Sequence, residues 1–286
     1  MTSTLILGTN GMLGSMVRKV LEAEGLSVIG TCKNPKDSTN VKFDAETDSV
    51  ADLVGSVRPD YIVNAIGIIK PRINEQEMAS RLTAIRVNSV FPHDLVAACN
   101  QYGTRMIQIA TDCVYSGSQG LYGESALHDA TDVYGKTKSL GEAQSTQALH
   151  LRASIIGPEQ GRSSSLWEWV RGQTTGATIN GFTNHQWNGV TTFHFGRVCA
   201  GLIKNRSDLA GVYHLIPGDI VNKQVLVSAI AIASGRGDIT IKPVEAKDTI
   251  DRTLKTDHPP ISEQLWQMAG FTKPPTIEEM VRTTPL

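Results

Sequence analysis

The feature that most restricts this chain lies near its amino end. Residues 4–7 (Thr-Leu-Ile-Leu) form a short apolar run, and Gly8-Thr9-Asn10-Gly11-Met12-Leu13-Gly14 follows at once. An amphipathic stretch comes next, with Leu13, Val17, Val20 and Leu21 at helical spacing. The order is strand, glycine loop, helix. Gly8 allows the tight turn. Gly11 lets the backbone approach a pyrophosphate, whose charge meets the helix amino terminus, and Gly14 lets helix and strand pack closely. Asn10, Met12 and Leu13 complete the loop and count with the three glycines as cofactor-binding candidates. The spacing is G-x-x-G-x-x-G, not G-x-G-x-x-G, so a purely structural turn is the rival reading. The strand before and the helix after favour the cofactor.

Residues 26–31 read as a second strand whose end faces the adenosine ribose. An acidic residue there would favour NAD. This chain offers Thr31 and Lys33, which suit a 2′-phosphate, and Arg18 can add charge. NADP(H) is therefore favoured, with NAD(H) left open; a solvated surface is the competing reading for both cations. Residues 41–43 read as a third strand, after which Asp44 is placed to meet the adenine. Residues 50–57 read as a helix. Residues 60–67 form a buried strand running into a small-residue loop, so Asn64, Ala65 and Ile66 are expected against the dinucleotide. Residues 75–100 are mostly helical, with a break near Pro92. This stretch holds Asn88, either a structural hydrogen-bonder or the holder of a water. Residues 104–110 are a strand, with Thr111 at its end. Ligands of open α/β sheets bind at such ends, so Thr111 can hydrogen-bond a substrate carbonyl. A strand-end cap is the plainer alternative.

A second motif supplies chemistry. Tyr134 and Lys138 are four residues apart and would share one face of a helix. A lysine ammonium beside a tyrosine favours the phenolate. Such a phenol can exchange a proton with a carbonyl or alcohol, the acid–base half of a hydride transfer. Alone the pair is a weak signal. None of the other five tyrosines has a lysine four residues on, however, and the chain opens with a phosphate-binding loop.

Residues 149–152 continue the alternation of strand and helix. The pattern predicts an α/β fold with a doubly wound parallel sheet. Past residue 157 the segments shorten. Helices are expected over 166–171, 194–204, 225–234, 262–269 and 277–282, strands over 211–215 and 239–244, and a loop over 181–192. This gives a dinucleotide-binding domain at 1–157. A smaller substrate-binding region at 158–286 would cap the sheet's carboxyl edge, with some segments returning to the first domain.

At 286 residues the chain can bury a large core, and a formal net charge of −1 makes nucleic acid and membrane surfaces poor partners. Four scattered cysteines without a C-x-x-C pair argue against a zinc site or a disulfide scaffold, so no metal ligands are assigned. No apolar run reaches membrane-spanning length, and residues 4–7 read as a short strand in place of a signal-peptide core; the cytoplasm is the expected compartment.

The motifs Gly8-x-x-Gly11-x-x-Gly14, Asn64-Ala65, Thr111-Asp112-x-Val114-Tyr115-x-Gly117, Tyr134-Gly135-Lys136-Thr137-Lys138-x-x-Gly141-Glu142 and Leu151-Arg152 resemble the extended short-chain dehydrogenase/reductases. They are most similar to the dTDP-4-dehydrorhamnose reductase group. The resemblance implies a Rossmann-type domain, NADPH or NADH, and reduction of a nucleotide-activated 4-keto-6-deoxy sugar in deoxysugar and surface polysaccharide biosynthesis. It implies Thr111, Tyr134 and Lys138 as the catalytic set, with Tyr134 and Lys138 also cofactor-binding and Lys138 on the nicotinamide ribose. Asp112, Val114, Trp187 and Asn188 become substrate-binding candidates. For Trp187 and His185, packing of a capping loop stays an equal alternative. Related dehydratases resemble Thr-Asp-Glu where this chain has Cys113, which weighs against dehydration. Mg²⁺ dependence is left open, as is the choice between monomer and homodimer. Two rival functions remain: a sugar-nucleotide epimerase on the same fold, and a non-catalytic NADP-binding regulatory subunit.

Overall fold

The glycine loop does join a strand to a helix, and everything else is laid beside that unit. A computed structural model describes residues 2–35, 39–159 and 165–286. The first half runs β1 (Ser3–Leu7), α1 (Met12–Ala23), β2 (Ser27–Cys32), β3 (Asn40–Lys42), α2 (Val50–Val57), β4 (Tyr61–Asn64), α3 (Met78–Ile85), α4 (Phe91–Tyr102), β5 (Arg105–Ala110), α5 (Val133–Leu140) and β6 (Ala148–Arg152). The second half adds β7 (Ile155–Ile156), α6 (Leu166–Arg171), β8 (Thr178–Phe182), β9 (His185–Trp187), β10 (Val190–Thr191), α7 (Thr192–Lys204), β11 (Gly211–His214), β12 (Val221–Asn222), α8 (Lys223–Ala233), β13 (Thr240–Val244), β14 (Ile250–Asp251), α9 (Pro259–Met268) and α10 (Ile277–Thr283).

Seven strands form one sheet in the order β11-β6-β5-β4-β1-β2-β3, and every pairing is parallel. Alternation along each strand loads both faces, as the period of two requires. Ile6, Tyr61, Val63 and Ile107 face a core shared with α1 and α7. Leu5, Leu7, Ile62 and Met106 face a second core under α2 and α4. The strand order reverses between β1 and β4, which opens a crevice at their carboxyl ends.

The second half also adds to the main sheet and its helical layer. β11 is an edge strand of the main sheet, with Val212 paired to His150 and His214 to Arg152. α7 lies on α1 at Gly196, where an added Cβ would stand 3.1 Å from Val20. Arg197 and Lys204 of α7 both pair with Glu24 at the end of α1.

Two local expectations are corrected. Residues 181–192 are not a simple loop: they span the end of β8, β9 and β10 and enter α7. These short strands pair with β13, β12, β14 and β7, partners tens of residues away that local pattern cannot reveal. The break near Pro92 is a π-helical turn over Arg86–Val90, after which α4 starts with Pro92 in its first turn. No helix among the described residues is long and apolar enough to cross a membrane.

Candidate active site

A cleft of about 420 Å³ opens at the switch point. Its floor is the start of α1 (Gly11, Met12, Leu13) and the loop after β4 (Ala65, Ile66, Gly67). The end of β5 brings Thr111, Asp112 and Cys113, α5 brings Tyr134 and Lys138, and the second half brings Trp187 and Lys223.

The glycine loop has the shape a pyrophosphate needs. Gly8 sits at φ +87°, and the Gly11 amide donates to its carbonyl at 3.1 Å. Gly11 caps α1 with no side-chain bond, and no acidic residue lies in the first turn. The helix amides thus point at the cleft without a competing carboxylate. A Cβ on Gly14 would stand 2.2 Å from the Gly8 carbonyl oxygen. Gly14→Ala must therefore push the loop off the helix. We expect cofactor affinity to fall at least about tenfold and stability by roughly 1–3 kcal/mol, read by titration with NADPH and by urea denaturation. Unchanged affinity would mean that the loop does not hold the cofactor.

Two glycines seat α5. A Cβ on Gly135 would meet the Cys113 carbonyl oxygen at 2.4 Å, and one on Gly141 would meet that of Asn88 at 1.9 Å. The first contact presses Tyr134 toward Thr111. The second ties the helix to the π-helical turn. There Asn88 accepts from the Ile68 amide at 2.8 Å, and donates to the Ile68 carbonyl at 2.9 Å and to Thr137 Oγ1 at 3.2 Å. Asn88 thus acts as the structural hydrogen-bonder. Asp132 caps α5 by accepting from the Gly135 amide at 2.8 Å, and Lys70 holds the same carboxylate at 2.8 Å.

The electrostatics correct one expectation. The Tyr134 phenol is not lowered: burial raises it above the ordinary tyrosine range, Cys113 adds to that, and a hydrogen bond with Thr111 opposes it. Lys138 is not among the stronger influences on it. Its ammonium donates to the Ile109 carbonyl at 3.3 Å, and its pKa is lowered by burial against the pull of Glu142. Thr111 Oγ1 donates to Asp112 Oδ1 at 3.3 Å and accepts from the Cys113 amide at 3.2 Å. Burial pushes the Cys113 thiol up to about 12. At neutral pH the centre therefore holds a protonated phenol, a neutral thiol and a hydroxyl that can turn toward a bound oxygen.

Several predicted residues are engaged by the protein itself or lie off the cleft lining. Thr31 is wholly buried and its hydroxyl accepts from the Gly8 amide at 3.3 Å, so it shapes the loop and cannot hold a 2′-phosphate. Lys33 pairs with Asp44 at 3.0 Å and Glu46 at 2.7 Å, which engages Asp44 as well. Asn64 is buried beneath the cleft: it donates to Gln108 at 2.8 Å and accepts from the Ile66 amide at 3.1 Å. Asn10 is exposed at the loop's outer edge, off the cleft lining. Val114 packs in a small core with Tyr115, Tyr122 and Leu254. Asn188 bridges both backbone groups of Leu254, at 2.7 and 2.9 Å. Neither Val114 nor Asn188 reaches the cleft. Trp187 does, with its indole N–H donating to Ser154 Oγ at 2.8 Å.

Sequence reasoning missed Lys223, Arg72 and the wall at Ala153–Ile156. For Lys223 a signal was present. Asn222 caps α8 by accepting from the Val225 amide at 3.0 Å, so the helix begins two residues before its first apolar position. Among the described residues no group of three or more His, Cys, Asp or Glu side chains is arranged to hold a metal ion.

A parallel sheet in this strand order, a glycine loop at its reversal and the Thr111, Tyr134 and Lys138 side chains on one cleft define a Rossmann-type protein of the extended short-chain dehydrogenase/reductase class. Within it, the chain belongs to the RmlD substrate binding domain family, whose model it matches over residues 1–284. It is 25% identical over 261 residues to a probable low-salt glycan biosynthesis reductase of Haloferax volcanii, covering 86% of this chain and 85% of that one. It is also 25% identical over 274 residues to the dTDP-4-keto-6-deoxy-D-glucose reductase of Streptomyces niveus, covering 94% and 91%. The crystal structure of dTDP-4-dehydrorhamnose reductase from Bacillus anthracis in complex with NADP superposes with a TM-score of 0.78 at 18% identity, covering 99% and 98%.

Proposed function

We propose that this protein is a nicotinamide-dependent reductase of a nucleotide-activated 4-keto-6-deoxy sugar. The observation that carries the reading is the convergence of the α1 amino terminus, Thr111, Tyr134 and Lys138 on one cleft. The glycine loop and the free α1 amides suit a dinucleotide pyrophosphate. Reduced nicotinamide, when bound, supplies a hydride to the carbonyl carbon. Thr111 turns its hydroxyl from Asp112 to the carbonyl oxygen. Tyr134, held protonated by burial, delivers its proton to that oxygen as it becomes an alkoxide. Lys138 holds the nicotinamide ribose and supplies positive charge near the phenolate that remains. A phenol that is protonated at neutral pH suits this direction, because reduction consumes the proton.

The region after residue 157 supplies the sugar side through Trp187 and Lys223, while β11 and α7 return to the dinucleotide side. Cytoplasmic reduced nicotinamide is the natural supply. The case for NADP over NAD rested on Thr31 and Lys33 with Arg18 adding charge; Thr31 is buried under the glycine loop, Lys33 pairs with Asp44 and Glu46, and Arg18 pairs with Glu22 and donates to Asn40 at 3.1 Å, so the two cofactors are to be tested side by side. The experiment is oxidation of NADPH, and separately NADH, by the purified protein with dTDP-4-keto-6-deoxyglucose. One deoxysugar formed per cofactor consumed is the expected result. Interconversion of sugars without net cofactor loss would mean an epimerase. Bound cofactor without turnover on any dTDP-, GDP- or UDP-keto sugar would mean a binding subunit.

A further inference from the structure

Lys223 is badly placed for stability. It is the first residue of α8, where the helix dipole disfavours a cation. It lines the cleft and makes no hydrogen bond or ion pair among the described residues, only a contact with the Trp187 ring. Its pKa is lowered by burial, against the attraction of Asp112 and Cys113. Asp112 lines the same cleft. It is only 8% exposed, and its carboxylate takes one long side-chain bond, from Thr111 at 3.3 Å. Its pKa is raised by burial, against Arg252 and Lys223. The two charges feel each other yet stand farther apart than an ion pair. Trp187 lines the same cleft, only 4% exposed, with Lys223 Nζ 5.6 Å from its ring centroid. Ser154 fixes that ring, and Gly189 makes room for it: a Cβ there would stand 2.5 Å from the indole edge.

A separated acceptor and donor on one cleft are a fit for a sugar ring, whose hydroxyls bridge the two charges. We propose that Lys223 is a specificity-determining residue. With Asp112 it reads the ring hydroxyls beside the reacting carbon, its ammonium held near the buried Trp187 ring. The inference rests on the sugar-nucleotide reading above. A diphosphate is the wrong occupant at this spot, because the Asp112 carboxylate would repel it. Asp112 also adjoins Thr111, which places the subsite next to the reacting carbonyl.

The test is calorimetric titration of the whole protein, loaded with NADPH, with dTDP-glucose and with dTDP. Lys223→Met removes the charge and keeps an unbranched stem. It is expected to weaken dTDP-glucose about 10–100-fold, the cost of losing a charged hydrogen bond, and to leave dTDP and NADPH unchanged. Lys223→Arg should recover part of the loss. In turnover the same variant should raise KM for the keto sugar with kcat little altered. Equal weakening of dTDP and dTDP-glucose would make Lys223 a diphosphate contact and overturn the proposal, as would unchanged affinity for both. A wild-type protein that binds NADPH but neither nucleotide would instead overturn the sugar-nucleotide reading itself.

Discussion

Tyr134→Phe should lose about 10²–10⁴ of kcat, the usual worth of a positioned general acid, while NADPH binding stays near normal. The hydroxyl is the only atom removed. The ring keeps its place because α5 is seated by contacts that do not involve it: Gly135 against Cys113, Gly141 against Asn88, and the Asp132 cap held by Lys70. The loss should therefore fall on turnover, not on folding or cofactor affinity. The measurements are single-turnover oxidation of bound NADPH with the keto sugar, and separate titration of NADPH. Near-normal turnover would sink the assignment of Tyr134 as proton donor. The variant should also lose activity evenly across neutral pH, because the wild-type phenol stays protonated there under the effect of burial.

Much of this site was legible in the sequence because its residues come from local motifs. The glycine loop, the strand ends at Ala65 and Thr111, and the Tyr134–Lys138 pair each sit within a few residues of a recognisable strand or helix. Parallel strands deliver them to one edge by topology alone. What was not legible depends on contacts distant in sequence. Thr31 looked available for a phosphate, but the Gly8 amide, 23 residues away, takes its hydroxyl. Asn188 looked like a ligand contact until its amide met Leu254, 66 residues on. Val114 follows the motif residues but points into the core made with Leu254. The lysine beside the tyrosine was read as an acidifying partner, yet a backbone carbonyl of β5 claims it and burial outweighs it. Lys223 was hidden for a different reason. Its helix was started at the first apolar residue instead of at the Asn222 cap, so its place at the mouth of the fold went unseen.

Arg152→Met should cost about 3–5 kcal/mol of stability, the penalty for removing one member of a buried ion pair. Arg152 is 2% exposed at the end of β6. Its guanidinium donates to both Glu142 oxygens (3.1 and 2.6 Å), to the Tyr115 hydroxyl (2.8 Å), to His214 Nε2 (2.7 Å) and to His128 Nε2 (3.0 Å). The opposite nitrogen of His214 faces the Lys255 carbonyl at 2.6 Å, which can only accept. Nδ1 therefore carries the proton, and His214 is a neutral ring that accepts from Arg152. With Arg152 gone, Glu142 stays buried with only His128 beside it, 4.0 Å away and with its pKa lowered by burial, and Tyr115 loses a bond that holds the segment after Asp112. Urea denaturation should show the loss, and Arg152→Met combined with Glu142→Met should be more stable than Arg152→Met alone. A double variant no better than the single would place the cost in packing and not in charge. The same network sets an acid limb. Burial and Arg152 hold His214 down to about 4, below the unfolded value of about 6.5. A depressed folded pKa contributes stability that is fully present above the unfolded value and is lost as pH falls toward the folded one. His128 is shifted in the same direction by burial. Wild-type stability should thus decline between about pH 6.5 and 4, and His214→Gln, which cannot gain the proton, should flatten part of that decline.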